Sequence, residues 1–482
     1  MLHDKDIKKI SEIESTFVSK HKKEKVFSEI IDILKIGKHH AIFSSVKQKG
    51  ISPIILIKIL ISFAFIDQKN IYSFTKSYWN KFAGFGKDTY YRLKNNPKIN
   101  WRNFLFAVVK RTIITLSNRN KNADNKGIKA FIFDDTSIQK TGIFIEGVSR
   151  VWNHVIKKSI LGYQLLVMGY YDGTMFIPAD FSFHREKGKN KKNKFGLAPK
   201  KYRKQFRKKR DKKTAGFQRK KELDISKIRS VVGMIKSAVN NGITADYVIT
   251  DSWFTCWELV KTTIENNMNY IGMFSKVKTL FLFNKKALTY KQIRRSSRSK
   301  IKRNKRYNLY YIRVIVQWHG QLVVLYFTRK GKHGNWKTIL STDLSANFNK
   351  TLEVYQLRWS IEVFFKEAKQ LLNLGKNQAQ DFDSQIAETT IVMTQYIFLA
   401  LKNRIEKYES IGKLYEQSKS ETLEIILHER LILLLIAIID VVINIFEEAD
   451  IELVIMKIIN NEQTFDKLKL LINPTTKIKK AA

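Results

Sequence analysis

The sequence predicts an α/β protein flanked by helical regions, and three observations carry that prediction. Two short apolar runs, residues 128–133 and 246–250, are rich in branched and aromatic residues, and each is followed by an aspartate. Residues 355–372 have the 3.6-residue periodicity of an amphipathic helix. Between them the pattern runs strand, hairpin, helix, strand, strand, helix, an alternation typical of a sheet covered by helices.

The first run, Ile128-Lys129-Ala130-Phe131-Ile132-Phe133, is expected to deliver Asp134-Asp135-Thr136 at its carboxyl end. Adjacent strand residues point to opposite faces, so at most one of the two aspartates naturally joins a given site. Geometry alone leaves Asp134 and Asp135 both open. Residues 162–183 alternate around Asp172-Gly173, a hairpin signal. A helix is expected over 222–240, then the strand 246–250 delivering Asp251-Ser252-Trp253-Phe254, then a strand over 270–274. Asp251 by itself would also suit a turn or a helix N-cap. Two carboxylates at the ends of neighbouring strands, joined by a third from a helix, are what a pair of divalent cations needs for in-line attack on a phosphodiester.

The third carboxylate lies on the helix. At ~100° per residue, Tyr355, Arg358, Glu362 and Lys369 fall within about 60° of one another. Leu357, Ile361, Phe364, Phe365, Ala368 and Leu372 recur at helical intervals on another side and can anchor the helix in a core. The row could be a solvated face with i,i+3 and i,i+4 charge pairs. With two strand-borne aspartates upstream, it equally suits a carboxylate working beside a polyanion.

The charge supports that setting. The chain has 482 residues and a formal net charge of +45, yet 44% of its residues are hydrophobic and 12% aromatic, so it is not a disordered polycation. A folded body with that field binds polyanions, nucleic acid foremost. Residues 185–221 hold nineteen Lys or Arg against two acids, Glu186 and Asp211, and are expected to form a mobile loop that orders on phosphate. The single cysteine, Cys256, excludes an intramolecular disulfide and a multi-cysteine zinc site and fits a reducing cytoplasm. No secretory signal is visible over residues 1–25. The apolar run 431–446 would span only ~24 Å as a helix, short of a ~30 Å hydrocarbon core, so no membrane association is expected. No G-x-x-x-x-G-K-[ST] loop occurs, and no ATP requirement is expected. His154 and His184 have no spacing partners as metal ligands. Residues 1–122 read as helical, with a basic, aromatic stretch at 85–94 and Trp101-Arg102 suited to DNA.

The spacing Tyr355-x-x-Arg358-x-x-x-Glu362-x-x-x-x-x-x-Lys369, with the upstream Asp134-Asp135-Thr136 and Asp251, resembles the signature of the DDE transposases of the insertion-sequence-four family. The resemblance covers roughly residues 125–375. It implies a ribonuclease-H-like catalytic core (123–278 and 346–400) with a β-rich insertion (279–345) before the last catalytic helix. A helical N-terminal DNA-binding region (1–122) and a helical C-terminal region (401–482) would flank that core. It puts the first catalytic aspartate directly before the threonine, Asp135, with Asp251 and Glu362 completing the set that holds two Mg²⁺ ions, for which Mn²⁺ can substitute. It assigns Tyr355, Arg358 and Lys369 to phosphate contacts, and the place of Trp336 to a tryptophan that stacks on a base flipped from the transposon end. The implied activity is cut-and-paste transposition through a hairpin intermediate. Its implied partners are the terminal inverted repeats and target DNA, both double-stranded, held in a synaptic homodimer in a bacterial or archaeal cytoplasm, at the nucleoid.

Overall fold

The computed structural model describes residues 43, 51–63, 68, 70–77, 85–119, 127–406, 410–417 and 419. The apolar segments at 26–36 and 423–446, including the run 431–446, lie outside them. Among the described residues no helix is long and apolar enough to cross a membrane.

The amino-terminal part is helical: α1 (Pro53–Ser62), α2 (Ile71–Lys76), α3 (Lys87–Lys94) and α4 (Trp101–Arg119). Local chemistry fixes their starts. Pro53 sits in the first turn of α1, and Asn70 caps α2 in a reciprocal capping box with Ser73. Phe104, Leu105, Val108 and Val109 bury one side of α4. That helix packs on β4 (Phe176–His184) and on the long α12 (Phe382–Glu406).

The centre is one mixed sheet. Strands β1 (Ala130–Gln139), β2 (Ser149–Asn153), β3 (Lys158–Tyr171), β5 (Tyr247–Thr250) and β6 (Asn269–Met273) stand in the order β2-β3-β1-β5-β6, with β4 also paired to β3. The β1–β5 and β5–β6 pairings are parallel and the β3 pairings antiparallel. This is a mixed α/β architecture consistent with a ribonuclease-H-like DDE fold. β4 is buried along its whole length, as expected of a strand covered on both faces. The expected hairpin closes at Asp172, whose Oδ1 accepts from the backbone N–H of Thr174 (2.9 Å) and Met175 (2.8 Å). Gly173 is required there: its φ is +104°, and an added Cβ would lie 2.7 Å from Gly127.

After β6 the sheet continues instead of stopping. β7 (Leu280–Phe283), β8 (Lys286–Thr289), β9 (Lys302–Asn304), β10 (Leu309–Trp318), β11 (Gln321–Lys330) and β12 (Lys337–Ser341) extend it, β12 pairing antiparallel with β6. The β10–β11 turn is His319-Gly320, with φ of +49° and +84°, the mirror-image turn that matches strand twist.

Three local expectations change. β1 does not end before Asp134; it runs on to Gln139, because its ladder with β3 continues to the Gln139–Gly162 pair. After α8 (Trp257–Glu265) and α9 (Tyr290–Ser296), the expected single helix is two, α10 (Phe348–Gln356) and α11 (Trp359–Gln370). At the junction Arg358 N–H bonds to Tyr355 O and Ile361 N–H to Arg358 O, three-residue steps that overwind the chain. The basic tract is not a free loop. It forms α5 (Pro199–Arg203) and α6 (Ala215–Lys221), and acids elsewhere pin it. Arg210, its side chain 1% exposed, bonds Glu146 at 2.6 Å, Asp381 at 3.0 Å and Asp383 at 3.0 Å. Lys208 bonds Asp381 and Asp383, and Lys220 bonds Glu146. Burial would raise the Glu146 carboxyl, but hydrogen bonds from Arg210 and Lys220 outweigh it and hold it below its usual range.

Candidate active site

The parallel pairing of β1 with β5 sets the first two carboxylates. Its last paired residues are Phe133 and Thr250, so the next step along both chains carries Asp134 beside Asp251 on one face. Thr250 is fully buried and its hydroxyl meets Tyr270 Oη at 2.6 Å, which fixes the end of β5. Asp251 Oδ1 accepts from the backbone N–H of Trp253 (2.9 Å) and Phe254 (3.3 Å), so the turn reading of Asp251 is present in the structure. Burial, then the charges of Asp251 and Asp135, push the Asp134 carboxyl up to about 7, against the opposing Asp135 N–H and Arg358.

The helical junction closes over this face. Arg358 donates from Nη1 to Asp134 Oδ2 at 3.1 Å and from Nη2 to Glu362 Oε1. One guanidinium thereby ties the strand carboxylate to the helix carboxylate. Tyr355 sits against Arg358, and burial pushes its hydroxyl up to about 12 in spite of that cation. Lys369 Nζ donates to Thr136 Oγ1 at 2.6 Å and to the Ser137 carbonyl at 3.3 Å, and burial holds it below the usual lysine range. Ile361, Phe364, Phe365 and Ala368 bury the other side of α11, with Phe364 against Phe176 of β4 and Tyr396 of α12. The four residues of the row therefore share a side although they sit on two helices.

Asp135 is the expected site residue that the structure turns away. It projects to the opposite face of β1, where Lys227 Nζ, on α7 (Lys227–Asn240), lies 2.9 Å from Oδ2. The cause is strand alternation: because β1 continues through both residues, Asp134 and Thr136 share the α11 side, and Asp135 does not. Trp336 is half-buried just before β12, with Arg329 4.7 Å and Arg294 5.5 Å from its ring centroid. Among the described residues its ring lies against these two arginines and the hydrophobic core, not against the carboxylates.

Three residues escaped the sequence reading. Trp253 is 51% exposed beside Asp251 with Lys227 Nζ 4.2 Å over its ring, and Trp359 is 64% exposed between Arg358 and Glu362. Exposed indoles flanking carboxylates suit base stacking. Lys227 links Asp135 to Trp253. The signal for the tryptophans was their place within the motifs, but exposure cannot be read from a single sequence. His184 is structural: its Nδ1–H donates to the Ile225 carbonyl at 3.0 Å and Nε2 accepts from the Ser182 hydroxyl at 2.7 Å.

Residues 68–317 match the family of DDE superfamily endonucleases, and the chain belongs to that family. The match takes in Asp134, Asp135 and Asp251 and ends before Tyr355. Family membership points to a nucleic-acid-cleaving enzyme, and members of this superfamily typically use divalent metals. No curated protein matches the chain.

Among the described residues no three histidine, cysteine or carboxylate side chains stand close enough to hold an ion as they are. Arg358 occupies the space between Asp134 and Glu362. The Asp134–Asp251 pair nevertheless fits a cation: burial and like charge disfavour the ionised Asp134, and a bound cation would relieve that repulsion.

Proposed function

We propose that this protein is a cut-and-paste DNA transposase of the insertion-sequence-four type, with Asp134, Asp251 and Glu362 as its carboxylates. The observation that carries this reading is the Arg358 guanidinium joining Asp134 of β1 to Glu362 of α11, within the Tyr355, Arg358, Glu362, Lys369 spacing. Family membership and the +45 charge support it. Asp134 replaces Asp135 as the first ligand in this reading, because only Asp134 faces Glu362.

Mg²⁺, as two ions and replaceable by Mn²⁺, would supply activation of water or a 3′-hydroxyl and stabilisation of the leaving 3′-oxygen. The protein's own residues align and neutralise. Arg358 exchanges its carboxylate partners for a phosphate near the cleaved end, which frees Glu362 to join Asp134 and Asp251. Tyr355, a protonated phenol whose hydroxyl burial pushes further up, donates a hydrogen bond to phosphate. Lys369 supplies a point charge beside Thr136. A hairpin intermediate, Trp336 stacking on a flipped base, and strand transfer within a synaptic homodimer on the inverted repeats complete the reading by resemblance.

The test is strand transfer. A labelled duplex ending in the element's own terminal repeat, incubated with Mg²⁺ and a plasmid target, should yield label covalently joined to plasmid. Cleavage without joining would reduce the protein to a nuclease, and binding without cleavage to a non-catalytic DNA-binding protein.

A further inference from the structure

A second anion-seeking feature lies between the helical leader and the basic tract. A cleft of about 520 Å³ opens at the start of α4, lined by Lys98, Asn100, Arg102, Lys213, Gln218 and Arg219; Asp211 also reaches it. Arg219 is 5% exposed and stacks on the Phe181 ring at 4.4 Å. Its Nη1 donates to the Phe181 carbonyl (2.7 Å) and to Glu222 Oε2 (2.8 Å), while Nε and Nη2 have no partner among the described residues. Arg102, beside it, spends its donors on Asp180, Glu222 and the Phe181 carbonyl. Burial, then repulsion from Arg102, draws the Arg219 guanidinium down to about 10.

Buried charged donors without acceptors are costly, and Arg219, which borders the cleft beside Asp180, whose Oδ2 is likewise buried without a partner among the described residues, brings a guanidinium that suits a phosphate to the floor of a basic cleft. Lys98 and Lys213 are exposed on the rim, and the first turn of α4 carries no acid, so its N-terminal field adds to theirs. The neighbouring surface carries the exposed Lys209, Lys212 and Lys221. A polyanionic strand is a better match to that run of charge than a small anion is.

We propose that this cleft is a phosphate subsite outside the carboxylate centre that holds a backbone phosphodiester of bound DNA, with Arg219 as its buried donor and Lys98 and Lys213 on its rim. The proposal rests on the DNA-processing reading above. It makes the leader and the basic tract one clamp.

The test is fluorescence anisotropy of a labelled duplex over a salt series. The full chain is compared with Lys98→Glu/Lys213→Glu and with a charge-matched control, Lys236→Glu/Lys291→Glu, exposed elsewhere. All four changes are at exposed positions, and thermal melts verify folding. The rim variant should lose about tenfold in affinity, with the slope of log K against log salt shallower by about 2, while the control changes little. Arg219→Gln, if folded, should flatten the slope by about 1. Equal losses in rim and control variants would mean a general field and overturn the subsite. So would calorimetric binding of inorganic phosphate that is lost in the rim variant while duplex affinity is unchanged. A wild type that does not bind duplex overturns the transposase reading together with the subsite; normal wild-type binding with an unaffected rim variant overturns the subsite alone.

Discussion

Asp134 and Glu362 are held by one arginine, so part of the site's negative charge is offset before substrate arrives. Glu362→Gln should reduce cleavage below detection while DNA affinity stays within about twofold, because carboxylate-to-amide substitution preserves shape and removes a ligand charge. Undiminished Mg²⁺-dependent cutting would remove Glu362 from the site. Arg358→Ala should cost about a hundredfold in cleavage rate, the scale of losing one preorganised charge donor; single-turnover kinetics on an end duplex would show it. His184 gives a pH signature. Burial, then Lys227, lowers it to about 4, so the unfolded chain binds more protons below its ordinary pKa. Stability is full above about pH 6.5 and falls as pH drops toward 4, by roughly 3 kcal/mol in the limit. His184→Gln should flatten that part of a urea-denaturation profile, and an unchanged acid limb would contradict the assignment. At this scale the motif spacing was legible, since residue types and intervals alone marked Tyr355, Arg358, Glu362 and Lys369. The choice between Asp134 and Asp135 was not, because it depends on the register of β1 against β5 and on which side α11 lies.

Elements carry the second set of constraints. Every strand and helix of the expected catalytic order has a counterpart, because apolar periodicity and turn residues such as Asp172-Gly173 and His319-Gly320 encode local structure strongly. Two features escaped that reasoning. The α10–α11 junction depends on three-residue hydrogen bonds at Leu357 and Arg358, which leave the 3.6-residue pattern almost intact. The anchoring of the basic tract depends on Glu146, Asp381 and Asp383, all far away in sequence. Arg210→Ala would leave those three acids short of a buried cation and should destabilise the fold by roughly 3–5 kcal/mol, read as a shifted urea midpoint. A shift no larger than that of the exposed Lys200→Ala would show that the cluster is not structural.

For the whole molecule, a +45 charge is distributed so that part of it is spent inside. Arg210 and Lys208 are internal supports, and the exposed Lys187, Lys189, Lys191 and Lys192 remain for an outside polyanion. Replacing these four by Gln should flatten the salt dependence of duplex binding by about 3 to 4 without lowering stability, since each phosphate contact contributes about 0.9. An unchanged slope would mean that this arm does not touch DNA. Composition disclosed the sign and size of the field but not its division between core and surface, which only the fold decides. The central claim is that Asp134, facing Glu362, is the first catalytic carboxylate. The most direct test is Mg²⁺-dependent cleavage of a labelled duplex bearing the element's own end, run on a denaturing gel with wild type, Asp134→Asn and Asp135→Asn. Nicked products from wild type and Asp135→Asn, with none from Asp134→Asn, are the predicted result; cleavage by Asp134→Asn that Asp135→Asn lacks would contradict it.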